Sequence, residues 1–323
     1  MTVIDRASTD TSTDTSTDTN TDTSGITITP KSPTIGAEIG DVDLANELSD
    51  AAIAVIRRAL LDHKVLFFRD QDITTDQHLA FGRRFGELEV HPFAINKPEY
   101  PEVLAITHDA DHPGRENGWH SDVTWRLQPS LGSILRCIEC PTVGGDTLFA
   151  DMYAAYDGLP QRIKERVEGR VARHDFAHFR QLLRHRGASD EEIAEMETTY
   201  PNPEHPVIRT HPETGRKGIY VNNAFTQEIV GMDADESAEL LTILYAQATF
   251  PEYQVRFTWA PNSIAFWDNR ACQHYAASDY WPHVRRVERV TIVGDTPYYD
   301  EAQAPTDVAP SPFRGQLRAW SDS

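Results

Sequence analysis

The feature that most constrains the fold is a series of short apolar segments without regularly alternating helices. Candidate strands cover residues 26–30, 35–44, 64–69, 103–107, 131–140, 147–151, 207–210, 218–222, 255–259, 263–267 and 285–294. A parallel sheet needs a helical crossover after nearly every strand, whereas sandwiches and jelly rolls join short strands by turns. The pattern therefore predicts a mainly β fold with inserted helices, a β-sandwich or jelly roll, and a jelly roll closes around a pocket.

Helices are predicted at residues 48–62, 74–85, 152–170, 190–198 and 233–248, and the first two begin with residues that favour helix N-termini. Residues 8–23 are four copies of a polar tetrapeptide with no apolar side chain to bury, so residues 1–25 are predicted to be a disordered tail. We expect a single domain over residues 26–300 and a C-terminal extension over residues 301–323.

The net charge and the cysteines limit the partners and the compartment. The chain carries 50 acidic and 30 basic side chains, a formal charge of −20, which repels nucleic acid and anionic membranes. Three cysteines cannot build a disulfide framework, which indicates a reducing compartment. Neither a secretory leader nor a long apolar span is recognisable. We expect a cytoplasmic protein whose partner is a small organic molecule.

Two segments carry candidate metal ligands. Residues 119–125 read WHSDVTW and contain the only H-x-D of the chain. On a strand, His120 and Asp122 would point to the same face. Residues 266–275 read FWDNRACQHY and offer His274. Two histidines and one carboxylate leave coordination positions open, as non-haem Fe(II) oxygenases require, but zinc hydrolases use similar ligands.

The strand predicted at residues 285–292, RRVERVTI, places Arg285, Val287, Arg289 and Thr291 on one face. If that face lines the interior, its guanidinium groups need anions, and arginine binds carboxylates in a bidentate fork. A metal with open positions and a nearby arginine fit a 2-oxo diacid that chelates iron at one end and meets Arg285 at the other. On the strand alone, a solvated face remains an equal alternative.

At these residues the sequence resembles the TauD/TfdA (taurine dioxygenase) family of Fe(II)/2-oxoglutarate-dependent oxygenases, over about residues 35–297. The matching blocks are WHSDVTW, GGDTLFADMYAAYDGLP, WAPNSIAFWDNRACQHYA and DYWPHVRRVERVTIVGDTP. The resemblance implies a double-stranded β-helix, in agreement with the predicted jelly roll. It also implies Fe(II) as cofactor, with 2-oxoglutarate and O₂ as co-substrates and succinate and CO₂ as products.

The resemblance also implies roles for individual residues. The iron ligands, which are the catalytic residues, would be His120, Asp122 and His274, and the far carboxylate of 2-oxoglutarate would bind Thr147 and Arg285. Arg289 matches a position that contacts an anionic group of the prime substrate, and His91 and Val123 match two further pocket positions. Phe225 is a candidate pocket residue that could equally belong to the core. Relatives are commonly homo-oligomers, which we expect here too.

The sequence departs from the taurine enzymes at Ala94, where they carry a tyrosine, and in the loop 107–118. We therefore expect a larger or more apolar substrate than taurine, such as an anionic natural product, for example a terpenoid acid, that is hydroxylated at an unactivated C–H. Dioxygenation of an alkyl sulfonate or sulfate with release of sulfite or sulfate is the alternative. A zinc hydrolase with the same ligands and a non-catalytic metal-binding jelly roll are alternatives from other classes.

Overall fold

A computed structural model describes residues 20–21, 25–92, 96–114, 116–185 and 187–306. Its strands are β1 Asn20–Thr21, β2 Thr27–Pro30, β3 Ala37–Gly40, β4 Val65–Phe68, β5 Asn96–Lys97, β6 Tyr100–His108, β7 Gly132–Glu139, β8 Thr147–Asp151, β9 Val171–His174, β10 Glu204–Pro206, β11 Ile208–Thr210, β12 Lys217–Ile219, β13 Thr226–Ile229, β14 Gln254–Phe257, β15 Ile264–Asp268, β16 Cys272–Ala276 and β17 Arg285–Ile292. Its helices are α1 Asp50–His63, α2 Thr75–Arg83, α3 Met152–Asp157, α4 Gln161–Val167, α5 Ala177–His185, α6 Asp190–Thr199 and α7 Ala234–Gln247.

Two sheets form the centre of the fold. The larger has the strand order β1-β2-β3-β4-β15-β7-β17-β6-β5, and the smaller has the order β14-β8-β16. Their pairs are antiparallel except β3 with β4. Side chains from both sheets pack together: Phe67 of β4 stacks on Phe257 of β14 with ring centroids 4.2 Å apart and lies 5.8 Å from Phe149 of β8. The core between two antiparallel sheets is that of the predicted jelly roll.

Helices α1 and α2 cover the opposite face of the larger sheet. Leu60 of α1 and Phe81 of α2 belong to one buried cluster with Phe266 of β15. Ser49 and Thr74 cap the two helices, and Thr74 forms a capping box with Gln77. Because these helices bury the outer face, the inner face is left for the cavity.

The sheets bring functional segments together through their register. Strand β16, which carries His274, pairs with β8, which begins at Thr147. Strand β17 pairs with both β6 and β7, and its residues Arg285 and Arg289 line the cavity. The prediction that these two arginines share an inward face with Val287 is confirmed, since Val287 lines the same cavity.

Several local predictions were wrong. The single helix expected over residues 152–170 is two helices, α3 and α4, separated at Pro160, because proline lacks an N–H and disfavours helix at the preceding residue. Strands β5, β9, β10, β13 and β16 and helix α5 were not predicted. Asn20 and Thr21, expected in a disordered tail, pair with β2. The rest of the tail up to residue 24 lies outside the described residues, as do Ala94 and residues 307–323.

Within the described part of the chain, no helix has both the length and the apolar character that crossing a lipid bilayer demands.

Candidate metal and 2-oxoglutarate site

The backbone joins the two candidate histidines directly. His120 and His274 form an isolated antiparallel bridge, with N···O distances of 3.1 Å from His120 N and 2.8 Å from His274 N. The expectation that His120 and Asp122 share a strand face was wrong, because Asp122 lies in a turn. The pairing of His120 with β16, rather than strand alternation, brings the H-x-D segment to His274.

Three donor atoms converge at this bridge. The Nε2 atoms of His120 and His274 lie 3.8 Å and 3.9 Å from Oδ1 of Asp122. One ligand atom from each of the three residues lies within 4.8 Å of the other two. Among the residues that the structure describes, this is the one cluster of three or more His, Cys, Asp or Glu side chains with that property. This separation suits donors that share one ion at about 2 Å from each.

The protonation pattern of the histidines also suits a metal. Nδ1 of His120 lies 2.7 Å from the carbonyl oxygen of Gly118 and donates its proton there, which leaves the Nε2 lone pair for an ion. Burial, with a smaller contribution from His120, lowers the pKa of His274 to about 3, so its ring is neutral. Its Nδ1 has no partner among the described residues, and Trp267, at a centroid distance of 4.9 Å, packs against the ring.

The carboxylate of Asp122 is held as an anion. Burial opposes its ionisation, but the Arg289 guanidinium keeps the pKa of Asp122 well below its usual range. Its Oδ2 accepts a hydrogen bond from Ser133 Oγ at 3.1 Å, and its Oδ1 accepts one from Arg289 Nη1 at 2.8 Å. Two imidazoles and one carboxylate are a donor set that fits Fe(II) with open coordination positions.

A buried arginine lies in the same cavity. The Arg285 side chain is 5% exposed, and its Nε and Nη2 find no hydrogen-bond acceptor in the described ranges. Trp259 packs against its guanidinium at 5.6 Å and donates from Nε1 to Oγ1 of Thr147 at 3.0 Å. The Thr147 hydroxyl can therefore still donate its own proton. This end of the cavity offers the charge and the donors that a carboxylate needs.

The other predicted pocket residues, His91, Val123 and Phe225, are not among those that line this cavity. Val123 and Phe225 belong to a buried apolar cluster with Trp125 and Phe176, and the Phe225 ring is 6.4 Å from that of His120. The His91 ring is 6.3 Å from that of Trp125. Burial, followed by repulsion from Arg289 and Arg126, lowers the pKa of His91 to about 4. The structure thus places a neutral His91 near Arg289 and the apolar ring of Phe225 beside His120.

Sequence reasoning missed several residues of this site. Phe179, on the unpredicted helix α5, stacks near Phe225 with centroids 6.3 Å apart; its spacing of four from Leu183 was the available signal. His108 and Glu116 line the cavity, with 3.4 Å between His108 Nε2 and Glu116 Oε1. His108 Nδ1 also lies 2.6 Å from the Tyr280 hydroxyl. The loop 107–118 departs from the taurine enzymes, but its sequence does not show which side chains turn inward.

Comparisons with known proteins agree with this geometry. The model of the family described as "Taurine catabolism dioxygenase TauD, TfdA family" matches residues 27–291. An alkylsulfatase of Acinetobacter baylyi is 36% identical over 266 residues, which are 81% of this chain and 83% of the relative. An (S)-phenoxypropionate/alpha-ketoglutarate-dioxygenase of Sphingobium herbicidovorans is 35% identical over 274 residues, 83% of this chain and 95% of the relative.

A solved structure gives the same result for the fold. The crystal structure of a taurine dioxygenase from Burkholderia xenovorans superposes with a TM-score of 0.73 at 38% identity and covers 87% of this chain and 94% of its own. The predicted double-stranded β-helix and the predicted family are therefore confirmed. This chain belongs to the TauD/TfdA family of 2-oxoglutarate-dependent non-haem iron dioxygenases.

Proposed function

We propose that this dioxygenase holds Fe(II) on His120, Asp122 and His274 and oxidises an unactivated C–H of an organic anion, in the first place by hydroxylation, while 2-oxoglutarate is converted to succinate and CO₂. The observation that supports the proposal is that one cavity is lined by two candidate iron ligands and by a carboxylate-binding pair. His120 and His274 line it together with Thr147 and Arg285. A short diacid could therefore contact an iron ion held by the histidines and the buried guanidinium at the same time.

The residues of the chain would bind and orient the co-substrate. Arg285 and Thr147 would take the far carboxylate of 2-oxoglutarate, which supplies acceptors for the two Arg285 donors that have none among the described residues. Trp267 and Leu135, which line the cavity, would keep water from the reacting end. When bound, the ferrous ion supplies the activation of O₂, which protein side chains alone do not provide.

The prime substrate is proposed to bind beside Arg289, which lines the same cavity as Arg285 on the same face of β17. Arg289 would bind its anionic group, because its Nε has no acceptor in the described part of the chain. His91, Val123 and Phe225 would contact an apolar body. A neutral His91 can donate one hydrogen bond to the substrate and adds no charge to the pocket. An anionic natural product such as a terpenoid acid fits these features, as does an aryloxy acid.

A sulfate ester or an alkyl sulfonate is the second candidate, supported by the alkylsulfatase relative. Arg289 would then bind the sulfate group, and oxidation of the carbon that bears the ester oxygen or the sulfur would release sulfate or sulfite. A zinc hydrolase would leave Arg285 and Thr147 without a ligand, so we disfavour it.

Anaerobic titration of the protein with Fe(II) and 2-oxoglutarate tests the cofactor assignment. We expect a visible charge-transfer band that is absent with either component alone and in His274→Ala. If no band forms and zinc is retained instead, the hydrolase becomes the better assignment. A screen that couples succinate release to alkyl sulfates, phenoxypropionate and terpenoid acids then separates the substrate classes, with sulfate or sulfite release as the mark of the organosulfur alternative.

The compartment and the assembly are proposed separately. Cys137, Cys140 and Cys272 are free thiols, which supports the reducing cytoplasm. The homo-oligomer stays a prediction, and light scattering on the eluting protein would test it.

A further inference from the structure

The side chain of Asn269 hydrogen-bonds to both the N–H and the carbonyl oxygen of Asp122, a candidate metal ligand. Asn269 is 1% exposed and follows strand β15. Its Oδ1 accepts a hydrogen bond from the Asp122 N–H at 2.6 Å, and its Nδ2 donates to the Asp122 carbonyl oxygen at 3.0 Å. The same Nδ2 lies 3.1 Å from Oγ of Ser130. One amide side chain is therefore hydrogen-bonded to the peptide group before the Asp122 Cα and to the peptide group after it.

The turn at Asp122 needs such support. The next residue, Val123, has φ of +48°, a left-handed conformation that β-branched side chains rarely adopt. His120 is held to His274 by a backbone bridge, whereas Asp122 belongs to none of the described strands. Without another contact, relaxation of Val123 would move the Asp122 carboxylate relative to the histidines.

Asn269 also lies on the hairpin that carries the third ligand. The turn between β15 and β16 contains Asn269, and β16 contains His274. Its hydrogen bonds therefore connect the Asp122 backbone to the same rigid element that positions His274. Asn269 is not among the residues that line the cavity, but it hydrogen-bonds to the Asp122 backbone, so any effect on the metal site would act through Asp122.

We propose that Asn269 is a positioning residue for metal binding: its amide holds the strained turn at Asp122 so that the carboxylate and the two histidines reach one ion. The inference rests on the proposed metal site. Removing a group that orients a metal ligand typically weakens metal binding or activity about 10- to 100-fold, and we expect that range for Fe(II) here.

The test compares Asn269→Ala and Asn269→Asp with matched changes at Gln71. Gln71 is also buried, and its amide accepts from Leu44 N at 2.8 Å and donates to Val42 O at 3.1 Å and to Arg69 O at 2.9 Å, away from the metal site. Gln71→Ala and Gln71→Glu therefore report the cost of losing a buried amide. Asn269→Asp keeps the acceptor for Asp122 N–H but turns an oxygen towards the Asp122 carbonyl.

The measurements are the Fe(II) dissociation constant, by anaerobic competition with a chromophoric chelator, and the unfolding midpoint without metal. We expect both Asn269 variants to bind Fe(II) about 10- to 100-fold more weakly and to shift the charge-transfer band with 2-oxoglutarate. The Gln71 variants should lower the midpoint but keep the wild-type dissociation constant. Should Asn269→Ala fail to fold, Asn269→Asp, which preserves side-chain size, carries the test.

Two results would overturn the inference. An Asn269 variant that binds Fe(II) within twofold of the wild-type protein would show that the amide does not position the ligand. An equal loss of affinity in the Gln71 variants would assign the effect to general destabilisation. Failure of the wild-type protein itself to bind Fe(II) would instead remove the proposed function, and this inference with it.

Discussion

The substitution Arg285→Met should make the metal-free protein more stable while it weakens 2-oxoglutarate binding. Arg285 is 5% exposed, and two of its donor atoms lack an acceptor among the residues described. A buried unsatisfied donor costs about 1–3 kcal/mol, and more if it is charged. Methionine replaces the guanidinium with an unbranched apolar side chain that can fill most of the same space.

The magnitudes follow from these contacts. Allowing for lost packing against Trp259, we expect a gain of about 1–3 kcal/mol in the free energy of unfolding. At roughly 2–4 °C per kcal/mol for domains of 150–250 residues, this raises the midpoint by about 2–12 °C. Leaving the far carboxylate of 2-oxoglutarate buried without its cation costs about 3–5 kcal/mol, which corresponds to a complex weaker by about 10²-fold to 4 × 10³-fold.

Thermal unfolding with and without 2-oxoglutarate measures both effects, the second in the presence of Mn(II) and without O₂. At 100 times its wild-type dissociation constant the co-substrate should stabilise the wild-type protein by about 2.7 kcal/mol and the variant by no more than about 0.4 kcal/mol. Arg286→Met is the matched control, because Arg286 is on the same strand but exposed and paired with Glu139. It should change neither quantity much.

Two outcomes would refute this reasoning. If metal-free Arg285→Met is less stable than the wild-type protein, the buried donors are satisfied in solution and carry no penalty. If the variant binds 2-oxoglutarate within tenfold of the wild-type protein, Arg285 does not hold the far carboxylate.

Three further predictions concern other residues. Asp122→Ala should abolish turnover, measured as succinate release, because it removes one of the three proposed ligand side chains; residual turnover above a tenth of the wild-type rate would contradict this role. Arg289→Ala should lower kcat/KM for the prime substrate about 10- to 100-fold, the effect of a lost hydrogen bond to a charged group, while uncoupled 2-oxoglutarate consumption survives; equal loss of both would remove its assigned role. Burial lowers the pKa of His78 from 6.5 to about 4, so between these values the unfolded chain binds a proton at His78 that the native protein does not. The contribution of the neutral His78 to the free energy of unfolding is therefore fully present above pH 6.5 and is lost as the pH falls through 4. His78→Gln, which can still donate to the Ile134 carbonyl, should reduce the acid-induced loss in denaturant titrations by an amount on the order of 3 kcal/mol; an unchanged pH profile would argue against a neutral native His78.

Local pattern is sufficient for much of the chain. Helices α1 and α2 begin at capping residues that the sequence displays, and the strand predicted at residues 147–151 has the observed bounds. The motif around His120 and the arginines of β17 are enough to indicate the family, which the matching family model confirms. These features depend on neighbours within a few positions, so a single sequence carries them.

Packing overrides local pattern elsewhere. Strand β16 has a mixed sequence because Gln273 and His274 are buried polar residues, so no alternation marks it as a strand. Pro160 divides a segment whose periodicity predicts one helix. Val123, which follows the proposed ligand Asp122, has a left-handed φ of +48°, and no local preference predicts that conformation.

The sequence by itself determined which side chains can bind a metal and a 2-oxo diacid, because these capacities belong to residue types and to short motifs. The tertiary structure alone decided that His120 bridges His274, that Arg289 donates to Asp122 and that Asn269 grips the Asp122 backbone. Such contacts join segments that are far apart in the chain. Their geometry depends on the register of whole strands and on the burial of many side chains at once, and short sequence patterns carry no record of either.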